Sequence, residues 1–377
     1  MEVDALPREA WLVALAGLPK MGPARLLALS LLAEPEEAWA LVASGAVLDH
    51  PGLVERMGTD PPGVARTWRA AAAGTDVAAR WVAHAAVTVS ARGAPGYPDP
   101  LATDLEPPAV VFSLGSAVAL AGPRVAVVGT RRCTRYGNDL AVELGRDLAA
   151  AGVAVVSGLA LGIDGAAHRG ALEASADGGA PPVGVVASGL DVVYPRHHRA
   201  LWHEVAATGL LLSECPLGTS PEAWRFPARN RIIAALADAV VVVESAGQGG
   251  SMYTVEQALR RDVPVLAVPG PVRSPASAGT NRLISEGAVL VSDATDVLLA
   301  VGVTAPRRRR REGRPSPKGD ARTVLRTIGW EPASLDQLLV RTGLDLGPLS
   351  VAVAGLEADG WIARSGLWHE RIAGASR

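Results

Sequence analysis

Arg124-Val125-Ala126-Val127-Val128-Gly129-Thr130-Arg131 decides the fold: an apolar run of β-branched and small residues that stops at a glycine and a cationic turn. A strand covered on both faces reads this way, because neither face has to meet water. The signature returns at 153–156, 183–187, 239–243 and 263–268, with amphipathic segments such as 138–151 in between, long enough for crossover helices. The alternation predicts an α/β protein with an extended Rossmann-like, doubly wound parallel sheet from about residue 110 to 300. In an open α/β sheet the ligand crevice lies at the carboxyl ends of the strands. The turn 129–137 holds Arg131, Arg132 and Arg135 and no acid, so it is placed to bind an anion, with Gly129 admitting close backbone approach.

Working outward, residues 1–85 are rich in Ala, Leu and Trp and helical in period, and predict an N-terminal helical domain of SAM or helix-hairpin-helix type. The turn in Leu18-Pro-Lys20-Met-Gly22-Pro-Ala-Arg25-Leu26 reads either as a phosphate-holding hairpin or as an ordinary turn between bundle helices. Gly93-Ala-Pro95-Gly-Tyr97-Pro-Asp99-Pro reads as a boundary, and the Rossmann domain is assigned 86–302. Residues 303–320, with five consecutive arginines from Arg307 to Arg311, read as a basic flexible linker. Helical patterns at 321–328, 334–342 and 347–359, then a hairpin over 361–371 turning at Ser365-Gly366, predict a winged helix over 321–377. A groove-reading third helix needs basic or amide side chains, yet 345–360 contains no Lys, Arg, Asn or Gln. The expectation is a protein-contacting or regulatory module.

Of 377 residues 49% are apolar, enough for two or three domains, and the formal charge is only −2, so any nucleic-acid footprint has to be a local patch. Cys133 and Cys215 have neither metal-ligand spacing nor a disulfide framework, which fits a cytoplasmic location. No apolar run is long enough to span a membrane and the N-terminus lacks a basic flank. Lys20 and Lys318 are the only lysines, which excludes a Walker P-loop and a Schiff-base lysine from 21–317. The first βα loop lacks Gly-x-Gly-x-x-Gly, and Ser157 stands where a ribose-binding carboxylate belongs, which argues against a nicotinamide site. No cofactor or metal is expected.

Phe226-Pro-Ala-Arg229-Asn230-Arg231 precedes an apolar stretch at 232–236 and reads as a phosphate clamp opening a helix, with Arg225 beside it. Ser157-Gly158-Leu-Ala160 and Gly250-Ser251 are further small-residue turns before helices. Together with Gly129, Thr130, Arg131 and Arg132 they point to the backbone of a nucleic acid, bound without sequence preference. Phe226 is either a base-stacking platform or a plug for the core under the turn. His168 reads as a phosphate-orienting or a structural helix histidine, and Asp164 as a helix-start carboxylate rather than a general base. No catalytic nucleophile is assigned, since Cys133 has no base nearby in sequence. One alternative is enzymatic. Gly249-Gly250-Ser251-Met-Tyr-Thr254-Val-Glu256 resembles the Pro-Gly-Gly-x-Gly-Thr-x-x-Glu loop of LOG-type nucleotide phosphoribohydrolases, with Gln248 in place of the proline. Glu256 then reads as a carboxylate catalyst or as a plain helix-face residue.

Taken in order, these loops resemble the DprA (Smf) family of DNA-processing proteins over roughly residues 90–300. The resemblance rests on Gly96-Tyr97-Pro98, Pro107-Pro108, Gly129-Thr130-Arg131, Ser157-Gly158-Leu-Ala-Leu-Gly162-Ile-Asp164, Ala167-His168, Gly189-Leu-Asp191, Tyr194-Pro195, Ser213-Glu214, the 226–233 segment, Glu244, Gly250-Ser251 and Gly279-Thr-Asn-Arg-Leu283-Ile284. It implies a non-enzymatic mediator that binds single-stranded DNA, protects incoming DNA in natural transformation, loads the recombinase RecA and forms a homodimer through its Rossmann domain. The family's DNA contacts fall on Gly129, Thr130, Arg131, Ser157, Gly158, Ala160 and the 226–231 segment. This chain departs at Ala223, where some relatives carry lysine and Arg225 is the substitute, and at Arg261-Asp262, expected to alter only a turn. The apolar Leu283-Ile284 pair is the place to look for the dimer interface.

Overall fold

The computed structural model describes residues 6–304, 316–329 and 331–372. The arginine run 307–311 of the expected linker lies outside the described residues. Two compact units emerge, residues 1–305 and 306–377.

The predicted apolar runs form the centre of a nine-stranded sheet: β1 (Thr88–Ala91), β2 (Val110–Gly115), β3 (Arg124–Val128), β4 (Ala154–Ser157), β5 (Val183–Val185), β6 (Leu210–Ser213), β7 (Ala239–Val242), β8 (Val265–Ala267) and β9 (Val289–Leu290). Their order is β1-β2-β6-β5-β4-β3-β7-β8-β9. Strands β3 to β9 are parallel, and β2 pairs antiparallel with β6, Phe112 opposite Ser213, so that β1 and β2 extend one edge. The order reverses between β3 and β7, where Val128 lies opposite Val242. That reversal opens a crevice beyond the carboxyl ends of the strands. Alternate residues of β3 serve opposite layers: Val125 and Val127 pack with Leu144, Leu148 and Ala171, while Ala126 and Val128 pack with Ile232, Ile233 and Leu236. Fully burying each such Val, Leu or Ile contributes about 1.5–3 kcal/mol, which is why the strand contains no polar residue after Arg124. Gly170 lets the helix Ile163–Ser175 close on Arg135–Ala150, since a Cβ there would stand 1.9 Å from the Val142 carbonyl oxygen.

The boundary expected near residue 85 falls inside the first unit. The N-terminal helices Arg8–Ala16, Pro23–Leu32, Pro35–Ser44 and Pro61–Ala73 share one apolar cluster with the sheet and its cover, in which Leu12, Leu29 and Trp68 join Phe112, Trp202 and Leu211. The Trp68 indole donates to the Pro19 carbonyl at 2.9 Å and holds the 18–22 turn. The Gly93–Pro100 stretch is likewise a connection between β1 and β2, anchored by buried Tyr97, whose hydroxyl donates to the Pro108 carbonyl at 2.6 Å. Arg261 does more than alter a turn. Its guanidinium makes a bidentate pair with Asp104 at 2.6 and 2.9 Å, both side chains 5% exposed. Burial acts to raise the Asp104 carboxyl, and the Arg261 hydrogen bonds and charge outweigh it and hold the group below its usual value.

The second unit is a winged helix. Helices Gly319–Ile328, Leu335–Thr342 and Leu346–Ala358 pack Val324, Leu338, Leu349 and Leu356 against Trp361 and Ile362. Ser334 and Gln337 form a capping box at the second helix. A three-stranded sheet of β10 (Ala333–Ser334), β11 (Ile362–Ser365) and β12 (Trp368–Arg371) completes the unit, with Gly366 at φ 64° in the turn between β11 and β12. Among the described residues no single helix is long and apolar enough to cross a membrane.

Candidate nucleic-acid interface

The turn after β3 is pinned from two sides. The Thr130 amide donates to the Glu244 carbonyl at 2.8 Å, and the Thr130 carbonyl accepts from Ile163 at 3.3 Å. Gly129 is required by this squeeze, because a Cβ would lie 2.6 Å from an Ile163 side-chain carbon and 2.9 Å from the Glu244 oxygen. The buried Glu244 carboxylate accepts from the Thr134 amide and hydroxyl at 2.8 and 2.5 Å, while Thr134 caps the following helix by accepting from Gly137. With its backbone fixed, the turn projects Arg131 and Arg132 into solvent.

Across from it, the 226–231 segment differs from its sequence reading. The helix already begins at Arg225 and runs to Leu236, so Phe226-Pro227-Ala228-Arg229 is helix, not a turn before one. Arg229 and Arg231 stand two positions apart and so on opposite sides of the helix, yet both are covered, 5% and 7% exposed, because this helix is packed on both sides. Arg229 donates to the Gly158 carbonyl at 2.9 Å and to the Val185 carbonyl, joining the ends of β4 and β5. Beside it the buried Asp164 carboxylate accepts from the Gly158 amide at 3.1 Å. Burial raises Asp164 against the pull of Arg229, and burial lowers Arg229 to about 10 against the pull of Asp164. Arg231 pairs with Glu214 and donates to the Glu106 carbonyl at 2.9 Å. Asn230 is tied to Gly250 and Arg229 at 3.2 Å each. A phosphate clamp of Arg229 and Arg231 is therefore corrected to an internal brace.

The small-residue turns divide in the same way. Ser157 is buried and donates to the Val127 carbonyl at 2.6 Å, the Gly158 amide is taken by Asp164, and buried Ser251 donates to the Ser245 hydroxyl at 3.0 Å. Gly250 is exposed and Ala160 half-buried. Phe226 is also half-buried, with the Arg131 guanidinium carbon 5.0 Å from its ring centroid and the Tyr194 ring 5.4 Å away, tilted by 46°. Arg225 lies over Trp224 at 4.3 Å and 3.8 Å from Glu222. The Leu283-Ile284 pair is not an outward apolar patch, since Leu283 is 5% exposed and belongs to the core.

What faces outward is a shallow cleft lined by Arg131, Ala160, Leu161, Tyr194, Pro195, Pro221 and Phe226, with Arg229 and Gly158 at its floor and no acidic side chain among its lining residues. Tyr194 and Pro195 were missed as site residues, although a loop just beyond the end of β5 meets the same carboxyl-end rule that picked out 129–137. Glu256 lies on the exposed face of the helix Gly250–Leu259 and does not line this cleft. His168 is fully buried, and burial lowers its imidazole to about 4, so it is neutral and structural at ordinary pH.

Comparison with known proteins decides the family. The profile described as DNA recombination-mediator protein A matches residues 88–302, the sheet and both of its helical layers. The chain belongs to this family. A second profile, the DprA winged helix domain, matches 309–366. The Smf protein of Escherichia coli K12 is 35% identical over 280 residues, which span 71% of this chain and 72% of that protein. The X-ray structure of DNA processing protein A from Streptococcus pneumoniae superposes with a TM-score of 0.64 at 30% identity, covering 78% of this chain and 98% of that one. A structure of the Helicobacter pylori homologue, described for its single-stranded DNA binding mode, superposes at 0.51 and 30% identity over 57% of this chain and 95% of that one.

Proposed function

We propose that this chain is a recombination mediator that binds single-stranded DNA without reading its sequence, acting in the cytoplasm as a homodimer joined through its Rossmann domain. In this reading it protects incoming DNA during natural transformation and loads RecA onto it, by binding and without bond breaking. The observation that carries the reading is the acid-free cleft in which Arg131 stands over Phe226. A guanidinium suits a phosphate, and an accessible ring suits any unstacked base, so the pair recognises the two features that every nucleotide shares. A duplex keeps its bases stacked and cannot use the ring. Family membership and the Helicobacter pylori homologue's described binding mode support the same ligand. The exposed apolar edge of β9, with Val289 50% and Leu290 45% exposed, is compatible with a partner subunit.

Fluorescence anisotropy with labelled oligo-dT and a matched duplex, across a salt series, tests the proposal. The expected result is a clear preference for the single strand that weakens in Arg131→Ala. Equal binding of duplex and single strand, or none at low salt, sinks it. RecA filament assembly on strands already coated with a single-strand-binding protein tests the loading step. No acceleration by the wild-type chain removes that part of the reading.

A further inference from the structure

Pro23-Ala-Arg25-Leu-Leu-Ala-Leu-Ser30-Leu-Leu32 is apolar on every side of its helix. Its two polar side chains are taken up by nearby carbonyls: Arg25 donates to Lys20, Arg56 and Met57 at 2.6, 2.8 and 2.9 Å, and Ser30 to Leu27 at 2.9 Å. A helix of that composition belongs inside a core, yet only Leu26 and Leu29 are buried. Leu31 is 65% and Leu32 39% exposed. With Leu27 and Ala28 they form one wall of a groove of about 850 Å³. The remaining lining includes Leu105, 63% exposed, and Trp224, 46% exposed, with Pro227 and Ala228 on the helix that follows it. Leu105 is held outward, because its neighbours Asp104 and Glu106 are ion-paired with Arg261 and Arg260. The groove is separate from the cleft: Phe226 and Arg229 of the same helix line the cleft, whereas Pro227, Ala228 and Arg231 line the groove.

We propose that this groove seats an amphipathic helix of a partner protein, with an aliphatic stripe against Leu31, Leu32, Leu105 and Trp224 and an Asp or Glu on the flank that meets Arg56. Contiguous exposed apolar surface in a concavity marks a docking site. The lining specifies a helix because no strand contributes to it. An extended segment would find no sheet edge and leave its main-chain groups unpaired, whereas a helix satisfies its own. Pro23–Leu32 is about 15 Å long, room for nearly three turns of a partner. The acidic flank follows from charge. Arg231 is engaged with Glu214 and Glu106 with Arg260, which leaves exposed Arg56 with no carboxylate within 4 Å among the described residues. A phosphate backbone gains nothing from a mostly aliphatic lining, and one free cation in a concavity gives little hold on the plane of an anionic membrane.

The test uses two fluorescein-labelled synthetic helices of about 15 residues, roughly four turns, both with leucines on one stripe, flanked by glutamate in one and by lysine in the other. Each is titrated by anisotropy with the full-length chain as wild type, Leu31→Ser, Leu105→Ser and Arg56→Glu, with thermal unfolding as the fold check. All three side chains are exposed, so their replacement leaves the core intact. The expected result is binding of the glutamate peptide by wild type that becomes about tenfold weaker in each serine variant, the size of effect seen when an anchoring side chain is truncated. Arg56→Glu reverses the preference in favour of the lysine peptide. Equal affinity of wild type for the two peptides, or a preference that Arg56→Glu does not reverse, removes the stated partner chemistry and overturns the proposal. Binding left unchanged by either serine variant places the peptide outside the groove and overturns it too. So does failure to bind either peptide, including the case in which the chain binds phosphatidylglycerol vesicles instead. Each of these outcomes leaves the single-strand reading standing, because no nucleic acid takes part.

Discussion

The loop 129–135 and the helix start 225–231 each bring arginines to the same cleft and use them in opposite ways. In the loop, backbone hydrogen bonds to Glu244 and Ile163 hold the chain, so Arg131 and Arg132 are released to solvent. At the helix start, Arg229 and Arg231 are turned inward, where they brace β4, β5 and the Glu106–Glu214 region from inside. Residue type is the same, but the direction imposed by the backbone separates a solvent-facing guanidinium from a structural one. Phe226 stands between the two, three residues before Arg229 on the helix and facing Arg131 across the cleft.

That contrast can be broken most severely at the inner arginines. Arg231→Ala leaves Glu214 buried without its cation, and loss of one partner of a buried pair destabilises by about 3–5 kcal/mol. Chemical denaturation should show this drop, and a variant within about 0.5 kcal/mol of wild type would mean that the brace is not structural. Next comes Phe226→Ala, expected to weaken oligo-dT binding by about 1–3 kcal/mol whatever the sequence. Unaltered affinity with lowered stability would instead make the ring a core plug.

Titration sharpens the inner region separately. The folded His168 titrates near 4 against an ordinary 6.5, so between those values the unfolded chain binds the extra proton. Its contribution to stability is intact above 6.5 and is lost as pH falls towards 4, by up to about 1.4 kcal/mol per pH unit. The comparison is the difference between wild type and His168→Asn, in which other groups cancel. Parallel stability curves over that window would refute the assignment. The smallest effect is expected at the outer loop. Arg131→Ala should leave stability within about 0.5 kcal/mol and reduce the salt slope of oligo-dT binding by about 0.7. A stability loss comparable to that of Arg231→Ala would erase the distinction between loop and helix.

The five apolar runs, the cationic turn after β3 and the winged-helix pattern were all legible in one dimension, because strand burial, helical period and turn chemistry are local properties. Strands β1, β2, β6 and β9 were not picked out: they are short, and a run such as Leu210-Leu211-Leu212 is no more strand-like than helix-like until a neighbour pairs with it. The packing across the boundary near 85 was not legible either, for a related reason. A polar, Pro/Gly-rich stretch looks like a linker, and only packing reveals that Trp68 and Phe112 share a core. Sequence by itself determined the class of sheet, the end of it where a ligand can sit, and the surplus of arginine over lysine that the site draws on. Only the tertiary structure decided which arginines face solvent, because the direction of a side chain depends on where its helix starts and on which carbonyls and carboxylates come within reach of it. It also decided that Tyr194 and Pro195 line the same cleft as Arg131. Those residues are some sixty positions apart in the chain and are neighbours only because the parallel strands β3, β4 and β5 end on the same edge of the sheet.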